Sequence, residues 1–295
     1  MPSTANTPTR GSDSTLTIRP LTDFTAAECT GVDLAALRPG EWERLVEAYH
    51  RYSLLVVRDQ DLAKAAQIEF SERFGDLELP IRKDYLGKDY PALHVVSNLG
   101  ADGKPNPTSA LDNPGNFFWH TDASYMRKPA STTLLYAIDI PPQGGDTLFA
   151  NMHAAYDALP QATKDRIEDL RAIHSWEQSR HNSGSRAASK EEIAAAPPVA
   201  HPLVRTHPET GRKALYLGNH TSHIEGIPIE EGRALLAELL AHATQPQFVY
   251  RQQWRQGDIV VWDNRSLLHK ATDDFDMGQF VRRLHRTVVQ GDAPR

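Results

Sequence analysis

Apolar residues recur at helical spacing along parts of the chain. Trp42, Leu45, Val46 and Tyr49 stand at i, i+3, i+4 and i+7, which predicts an amphipathic helix over residues 40–51. Further helices are predicted over residues 62–74, 154–159, 161–172 and 228–243, the last being the most clearly amphipathic. Long stretches without helical periodicity separate these helices.

Between the helices, short apolar runs are bounded by turn residues, a pattern typical of β-strands. The Leu-Leu-Val-Val run within residues 53–58 predicts a buried strand. Two hairpins are expected, with turns at Thr210-Gly211 and around Gln256-Gly257. Their strands and the others are predicted over residues 117–125, 132–139, 203–206, 214–217, 247–254, 258–262 and 281–287. Strands without regular β-α alternation favour a mainly β fold, a β-sandwich or jelly roll with helical insertions.

Some segments show neither helical nor strand periodicity. Residues 1–15, rich in Ser, Thr and Pro, are predicted to form a flexible N-terminal tail, which leaves residues 16–295 as a single domain. Residues 77–91 and 100–115 are predicted loops, and residues 175–198, poor in apolar side chains, are predicted to be a mobile insertion. Long loops often cover a functional site. We therefore expect substrate choice to depend on residues 77–91 and 175–198.

The composition is that of a globular chain. Of 295 residues, 40% are hydrophobic and 24% are charged, and no long apolar run suggests a membrane span. The net charge of -6 argues against a nucleic-acid-binding surface. The lone Cys29 cannot form an internal disulfide, and the first residues lack the pattern of a signal peptide. A cytoplasmic protein with a small-molecule partner is therefore expected.

Two candidate metal ligands lie close together in the sequence. His120 and Asp122 are two residues apart on a predicted strand, so their side chains are expected to point from the same face. A third candidate, His269, follows an apolar strand and a polar turn much later in the chain. Two imidazoles and one carboxylate leave positions open on the metal. This arrangement is associated with non-haem Fe(II) oxygenases rather than with structural zinc.

A second group of residues is suited to holding an organic acid beside such a metal. The tight turn at Gly144-Gly145 is followed closely by the Thr147 hydroxyl. Arg282 and Arg286 share one face of their predicted strand. Because a planar guanidinium binds a carboxylate through two hydrogen bonds, Arg282 and Thr147 are candidates to anchor one end of a dicarboxylic acid. The other end is then free to chelate the metal.

Taken in chain order, these ligands resemble the signature of the taurine dioxygenase and chlorophenoxyacetate dioxygenase family of Fe(II)- and 2-oxoglutarate-dependent oxygenases. The residues that carry the resemblance are His120, Asp122, Thr147, His269 and Arg282. Blocks similar to the family, among them residues 262–265, occur from about residue 18 to residue 292. Residues 154–170 and 203–250 are closer to the chlorophenoxyacetate branch.

The resemblance implies a double-stranded β-helix core and a defined set of cofactors. It implies that the three metal ligands hold Fe(II), that Arg282 and Thr147 help to bind 2-oxoglutarate, and that one position is left for O2. The implied reaction couples decarboxylation of 2-oxoglutarate to succinate and CO2 with hydroxylation of a substrate carbon. The family counterpart of Arg286 binds the substrate anion. Asn116 and Lys83 are further candidates for contacting the substrate, and the family suggests a homo-oligomer.

Several substrates and other classes of protein stay open at this point. The expected substrate is a small anionic compound, with an aryloxyalkanoate first, whose hydroxylation beside the ether oxygen would cleave the ether. A taurine-like alkylsulfonate or alkyl sulfate ester dioxygenase is the alternative within the family. Outside it stand an oxoglutarate-independent jelly-roll metalloenzyme and a non-catalytic metal-dependent binding protein. His220 and His223 are not expected to bind metal, and His174 is expected at the surface or in a substrate loop.

Overall fold

The computed structural model describes residues 16–79, 89–108 and 114–295. Within these ranges the chain is mainly β with several helices. The strands are β1 (Thr17–Pro20), β2 (Ala27–Thr30), β3 (Leu54–Val57), β4 (His94–Ser97), β5 (Ala130–Asp139), β6 (Thr147–Asn151), β7 (Arg171–His174), β8 (Val199–Pro202), β9 (Val204–Thr206), β10 (Lys213–Leu215), β11 (Thr221–Ile224), β12 (Val249–Gln252), β13 (Ile259–Asp263), β14 (Leu267–Ala271) and β15 (Arg283–Gln290). The helices are α1 (Glu41–Tyr52), α2 (Lys64–Glu72), α3 (Met152–Asp157), α4 (Gln161–Ile167), α5 (Trp176–Asn182), α6 (Lys190–Ala195) and α7 (Ile229–Ala243). The flexible tail predicted for residues 1–15 lies outside the described residues, as do residues 80–88 of the loop predicted over 77–91.

The largest sheet has seven strands in the order β1-β2-β3-β13-β5-β15-β4. Its strands pair in antiparallel fashion except for β2 and β3, which are parallel. A three-stranded antiparallel sheet, β12-β6-β14, shares a hydrophobic cluster with it. The groups β11-β7-β8 and β10-β9 complete the sheets of the described ranges. Neighbouring strands are often far apart in sequence, so the sheets bring distant residues together.

The seven-stranded sheet is covered on both faces because its central strands carry two sets of apolar side chains. In β3, Leu55 and Val57 belong to the cluster shared with α1 and α2, whereas Leu54 and Val56 belong to the cluster shared with the three-stranded sheet. All four are almost fully buried. Burying one such side chain contributes about 1.5–3 kcal/mol. This explains the continuous apolar run and confirms the buried strand predicted over residues 53–58.

Aromatic side chains pack between the seven-stranded and three-stranded sheets. The rings of Phe149 in β6 and Trp262 in β13 lie 5.4 Å apart in an edge-to-face contact. His269 in β14 packs against both, with its ring 4.8 Å from that of Trp262 and 6.1 Å from that of Phe149. This part of the core therefore restrains the orientation of the His269 imidazole.

Several predicted elements are confirmed by the structure. The helices predicted over residues 40–51, 62–74 and 228–243 correspond to α1, α2 and α7. The predicted strand over 132–139 is β5, and β9 pairs with β10 as the first hairpin requires. Gly211 in that hairpin turn has a φ of 69°, the left-handed conformation that favours glycine. In the ranges that the structure describes, no helix combines the length and the apolar character needed to cross a membrane.

The strand predicted over residues 117–125 is wrong. Within it, His120 alone pairs with another strand, through an isolated bridge to His269. The chain then turns, since Ala123 has a φ of 53° and the N–H of Met126 donates to the Ala123 carbonyl at 2.8 Å. A residue in the left-handed region interrupts a β-ladder. His120 and Asp122 therefore do not share the face of one strand.

The hairpin predicted around Gln256-Gly257 is also wrong. β12 pairs with β6 in the three-stranded sheet, whereas β13 pairs with β3 and β5 in the seven-stranded sheet. The turn carries the chain from one sheet to the other, and local alternation cannot distinguish this from a hairpin. The helix predicted over residues 161–172 is confirmed only as far as Ile167, because the chain then enters β7, which pairs with β8 and β11.

The segment predicted to be a mobile insertion, residues 175–198, forms two short helices. The hydroxyls of Ser175 and Ser189 accept hydrogen bonds from backbone N–H groups in the first turns of α5 and α6. Arg180 in α5 is buried among other residues. His174, which was expected at the surface or in a substrate loop, is fully buried just before this segment. Caps and tertiary contacts therefore compensate for the low apolar content of the segment.

Candidate active site

The structure brings His120, Asp122 and His269 together. Their ligand atoms all lie within 4.8 Å of one another. The Nε2 atom of His120 is 3.9 Å and that of His269 is 3.7 Å from the nearer Asp122 carboxylate oxygen. All three side chains are buried. In the part of the chain that the structure describes, this is the one group of three or more His, Cys, Asp or Glu side chains placed to share a metal ion.

The two histidines meet because they form a bridge pair. The N–H of His120 donates to the His269 carbonyl at 3.1 Å, and the N–H of His269 donates to the His120 carbonyl at 2.8 Å. Residues directly opposite each other project their side chains to the same side of a sheet, and the two ring centroids lie 4.1 Å apart. The residues predicted from strand alternation, His120 and Asp122, therefore do converge. They converge through the bridge of His120 to His269 and the turn that follows, not through a shared strand face.

A hydrogen-bond network fixes Asp122 beside the two histidines. The Thr133 hydroxyl donates to Oδ2 of Asp122 at 2.6 Å, and the backbone N–H of Asp122 donates to Oδ1 of Asn264 at 3.1 Å. The Asn264 amide in turn donates to the Thr133 hydroxyl at 2.8 Å. The indole N–H of Trp262 also donates to Oδ1 of Asn264, at 3.1 Å. One carboxylate oxygen of Asp122 is thus held by the protein, while the other faces Arg286 at 3.5 Å.

Burial and nearby charges favour the protonation states that a metal requires. Burial lowers the pKa of His120 and of His269, so both imidazoles are neutral. Burial opposes the charge on Asp122, but the Arg286 guanidinium and the hydrogen bond from Thr133 favour it, and the pKa of this carboxyl lies below its usual range. Nδ1 of His120 lies 2.7 Å from the Phe118 carbonyl, which assigns its proton there and leaves Nε2 free to ligate. This donor set fits a divalent metal ion.

Replacement of Thr133 by valine is expected to weaken metal binding. The change preserves the shape of the side chain but removes the hydrogen bond to Asp122. Loss of such an outer partner costs roughly 10–100-fold in metal affinity, and we expect a loss of that size for Mn(II), measured by calorimetry. Thr132→Val is the control, because its buried hydroxyl pairs with Tyr49 instead. Equal losses in both variants would contradict this role of Thr133.

A glycine turn builds the second part of the site. Gly144 and Gly145 have φ angles of 74° and 67°. A Cβ atom at Gly144 would lie 2.2 Å from the Asp274 carbonyl oxygen, and one at Gly145 would lie 3.1 Å from Cδ of Arg282. Both conformation and space therefore require glycine here. The turn leads directly into Thr147, the first residue of β6, which lies next to Arg282.

Arg282 is a buried cation that faces this turn. Its Nε donates to the Gly145 carbonyl at 2.7 Å, and its Nη2 lies 3.5 Å from the Thr147 hydroxyl. Burial lowers the pKa of Arg282 to about 10, so the guanidinium stays protonated at neutral pH. Within the described ranges it forms no ion pair, which leaves donors for a ligand carboxylate. The Thr147 oxygen accepts from the Trp254 indole N–H at 3.1 Å, so the Thr147 proton can also be donated to a ligand.

A cavity of about 620 Å³ connects these two parts of the site. The predicted site residues that line it are His120, Asn116, Thr147, His269, Arg282 and Arg286. A smaller cavity of about 100 Å³ is lined by His120, Asn116 and Arg286 as well, and also by Asp122. Of the predicted site residues, Lys83 lies outside the described residues. The other seven therefore line one or both of two cavities, which share Asn116, His120 and Arg286 in their walls.

A network of polar side chains braces the turn before His269. Asp263 Oδ2 lies 2.8 Å from Nε2 of His207 and accepts a hydrogen bond from Arg265 Nη2 at 2.7 Å. Arg265 also forms an ion pair with Glu209, with Nη1 2.8 Å from Oε2. This buried network ties the turn that carries Asn264 to the β9–β10 hairpin, so it supports the ligands without binding metal itself.

Sequence reasoning missed several residues around the ligands. Thr133 stands in a Ser-Thr-Thr run within an otherwise apolar strand, a signal that could have indicated a buried hydrogen-bond donor. Trp254 gave no such signal. His220 is close to the site, with its ring 6.1 Å from that of His120 and its Nδ1 3.0 Å from the Ser124 hydroxyl. It is not part of the group placed to share a metal.

A site of two imidazoles and one carboxylate in a β framework, with a buried arginine facing the same cavity, is the arrangement of a mononuclear metal oxygenase that uses an organic acid. A family model described as "Taurine catabolism dioxygenase TauD, TfdA family" matches residues 17–288. The chain belongs to this family. The family predicted from the ordered site residues is therefore confirmed.

Individual relatives are similar over nearly the whole chain. The alpha-ketoglutarate-dependent 2,4-dichlorophenoxyacetate dioxygenase of Cupriavidus pinatubonensis is 43% identical over 281 residues, covering 93% of this chain and 97% of that protein. The (S)-phenoxypropionate/alpha-ketoglutarate-dioxygenase of Sphingobium herbicidovorans is 40% identical over 286 residues, covering 93% and 95%. The crystal structure of AAD-2 in complex with Mn(II) and N-oxalylglycine has a TM-score of 0.85 and 41% identity, covering 95% of this chain and 98% of that one.

Proposed function

We propose that this protein is an Fe(II)- and 2-oxoglutarate-dependent dioxygenase that hydroxylates a small anionic organic substrate, with an aryloxyalkanoate as the favoured class. The observation that carries the proposal is that His120, Asp122 and His269 converge, and that His120 and His269 line the same cavity as the buried Arg282. The substrate class is supported by relatives whose names specify 2,4-dichlorophenoxyacetate and phenoxypropionate, which are both aryl ethers with a carboxylate.

In this proposal His120, Asp122 and His269 hold the metal, and Arg282 with Thr147 binds the distal carboxylate of 2-oxoglutarate. When bound, iron and 2-oxoglutarate supply the oxidising chemistry, in which 2-oxoglutarate and O2 yield succinate, CO2 and one oxygen atom for the substrate. The chain supplies orientation. Thr133 and Asn264 fix the Asp122 carboxylate, and the aromatic core around His269 excludes water from one side of the site.

Arg286 is the proposed anchor for the anionic group of the substrate. It lines both cavities, and its Nη1 lies 3.5 Å from Asp122, close to the proposed metal position. Its Nε is buried without a hydrogen-bond partner in the described ranges. A carboxylate bound there would place the neighbouring ether carbon near the metal. Hydroxylation of that carbon gives a hemiacetal, whose collapse releases a phenol and a 2-oxo acid. Asn116 and Lys83 stay candidates for contacting the rest of the substrate.

Arg286→Ala is expected to raise the KM for an anionic substrate. Loss of a hydrogen bond to a charged group costs about 1.5–3 kcal/mol, or roughly 10- to 150-fold in affinity. We expect a KM increase in this range, while the dissociation constant for 2-oxoglutarate changes by less than about threefold. Succinate release as a function of substrate concentration measures the first quantity, and anaerobic titration measures the second. An unchanged KM would remove Arg286 from the substrate site.

The proposed function is tested by anaerobic titration of the protein with Fe(II) and 2-oxoglutarate, followed by a substrate panel in air. The panel contains aryloxyalkanoates, alkylsulfonates and alkyl sulfate esters, and succinate is quantified for each. Succinate and phenol released in equal amounts from an aryloxyalkanoate support the proposal. Sulfite or sulfate release would instead favour the alternative within the family. Turnover without 2-oxoglutarate, or binding without turnover of any compound, would refute the dioxygenase assignment.

The topology of the core, the number of domains, the cellular location and the oligomeric state are part of the same proposal. A double-stranded β-helix, or jelly roll, is the proposed core, supported by the seven-stranded and three-stranded sheets that enclose the Phe149–Trp262 contact. Residues 16–295 are proposed to form a single domain, and the protein is proposed to be cytoplasmic and homo-oligomeric. Light scattering coupled to size-exclusion chromatography tests the oligomeric state directly.

A further inference from the structure

A partly buried carboxyl group lies in the smaller cavity and has no role in the proposed function. Glu78 lines this cavity together with Arg286 and Asp122. The backbone explains its position, because the N–H of Glu78 donates to the Val288 carbonyl at 2.8 Å and Leu77 forms a bridge with Val289. The chain after α2 therefore runs along β15, two residues from Arg286. This pairing directs the Glu78 carboxyl into the space beside the proposed substrate anchor.

The contacts of Glu78 leave one of its oxygens unsatisfied. Its Oε2 is buried and has no hydrogen-bond partner among the described residues, and the same is true of Nε of Arg286. In this part of the chain the ion pair of Arg286 is with Asp122, not with Glu78. Glu78 and Arg286 thus share a cavity without neutralising each other. A buried carboxylate without a partner is costly, whereas the neutral acid has a proton to donate.

The surroundings of the carboxyl favour its neutral form. Burial, reinforced by the negative charge of Asp122 and opposed by Arg286, raises the pKa of Glu78 to about 7. The other titratable groups that line the cavity are His94, His120, Tyr125, Arg180 and His220. Burial lowers the pKa of His120 and lowers that of His220 to about 3, and it raises the pKa of Tyr125, so these three are neutral at neutral pH. Arg180 is a second cation in the wall.

We propose that Glu78 is a specificity-determining residue, which acts as a neutral carboxylic acid and donates a hydrogen bond to the anionic group that Arg286 binds. This inference rests on the proposed function of Arg286. A neutral acid and a guanidinium provide donors from two sides of the same anion, whereas an ionised Glu78 would repel it. Binding of the anion therefore requires Glu78 to take up a proton from solvent when the free site is ionised. The cavity accordingly selects hydrogen-bond-accepting anions.

The expected consequence is a pH-dependent affinity. With a free-site pKa of about 7, the acid is present below this pH and is lost as the pH rises through it. We expect the dissociation constant of 2,4-dichlorophenoxyacetate to increase about tenfold between pH 6 and pH 8. Calorimetry in two buffers of different ionisation enthalpy measures proton uptake directly. It is carried out on the full chain loaded with Mn(II) and N-oxalylglycine, which prevents turnover.

Glu78→Gln separates this role from a structural one. Glutamine keeps the shape and donates at any pH, so this variant should bind the probe with nearly constant affinity and without proton uptake. It should bind about tenfold more tightly than the unchanged protein at pH 8. Glu78→Ala, which has no donor, should bind weakly even at pH 6. Glu72→Gln, at the exposed end of α2, removes a similar charge outside the cavity and should retain the original pH dependence.

Two probes distinguish failure of this inference from failure of the proposed function. The titration is repeated with hexyl sulfate. Binding and turnover of 2,4-dichlorophenoxyacetate without proton uptake, or the same pH dependence in Glu78→Gln, would overturn the role of Glu78 and leave the proposed function intact. Proton uptake with hexyl sulfate alone would support Glu78 and refute the aryloxyalkanoate assignment. Binding of neither anion would refute both.

Discussion

Asp122→Ala is expected to abolish succinate release and nearly all metal binding. The variant leaves two neutral imidazoles, because burial lowers the pKa of His120 and of His269. Arg286, whose ion pair with Asp122 is broken, leaves a positive charge near the metal position. We expect the affinity for Mn(II) to fall by more than about 100-fold, beyond the loss caused by removing an outer hydrogen-bond partner. Electron paramagnetic resonance of free Mn(II) measures this change.

The control for this variant is Asp157→Ala. Asp157 lies on the surface, where its carboxylate pairs with Arg212 at 3.2 Å. Its loss should change neither Mn(II) affinity nor succinate release. Circular dichroism of both variants shows whether the fold is retained. Full activity in folded Asp122→Ala would show that Asp122 is not a metal ligand.

Arg282→Ala is expected to have the second largest effect, a loss of 2-oxoglutarate affinity with metal binding retained. Truncating one partner of a buried, hydrogen-bonded charge pair costs about 2–5 kcal/mol, or roughly 30- to 5,000-fold. Arg282 is buried and forms no ion pair in the described ranges, so its guanidinium is available to pair with the carboxylate of the ligand. Anaerobic titration of the Fe(II)-loaded variant with 2-oxoglutarate measures the loss.

Two further variants separate charge from geometry at this position. Arg282→Lys retains a cation but loses the planar pair of donors, so its affinity should lie between those of the unchanged protein and Arg282→Ala. Arg255→Ala, an exposed arginine of the segment between β12 and β13, is the control and should bind 2-oxoglutarate normally. A dissociation constant for Arg282→Ala within twofold of the original would place the oxoacid elsewhere.

The residues of the candidate site could be predicted from the sequence because two histidines, an aspartate, a threonine and an arginine occur together in the order of the family signature. The structure places the predicted metal ligands within 4.8 Å of one another. Elements with strong local patterns were also predicted, such as α7 with its amphipathic leucines and β3 with its continuous apolar run. In these elements the local preference and the tertiary environment agree, so periodicity alone identifies them.

Other features depend on contacts that no local pattern contains. His120 is held in the site by one bridge to His269. The left-handed conformation of Ala123, which ends the extended segment, has no signal in the local sequence. β12 and β13 look like a hairpin in sequence but belong to different sheets. Glu78 is an ordinary acidic residue until its pairing with β15 places it in the cavity. Such features follow from tertiary pairing, which sequence periodicity does not specify.

The assignment of the metal ligands and of the 2-oxoglutarate anchor is tested most directly by a crystal structure of this protein. The crystals are grown with Mn(II) and N-oxalylglycine, which prevents turnover. We expect one metal ion in contact with Nε2 of His120, a carboxylate oxygen of Asp122 and Nε2 of His269. We also expect the distal carboxylate of N-oxalylglycine to contact Arg282 and Thr147. A metal bound by other residues, or a distal carboxylate turned away from Arg282, would contradict this assignment.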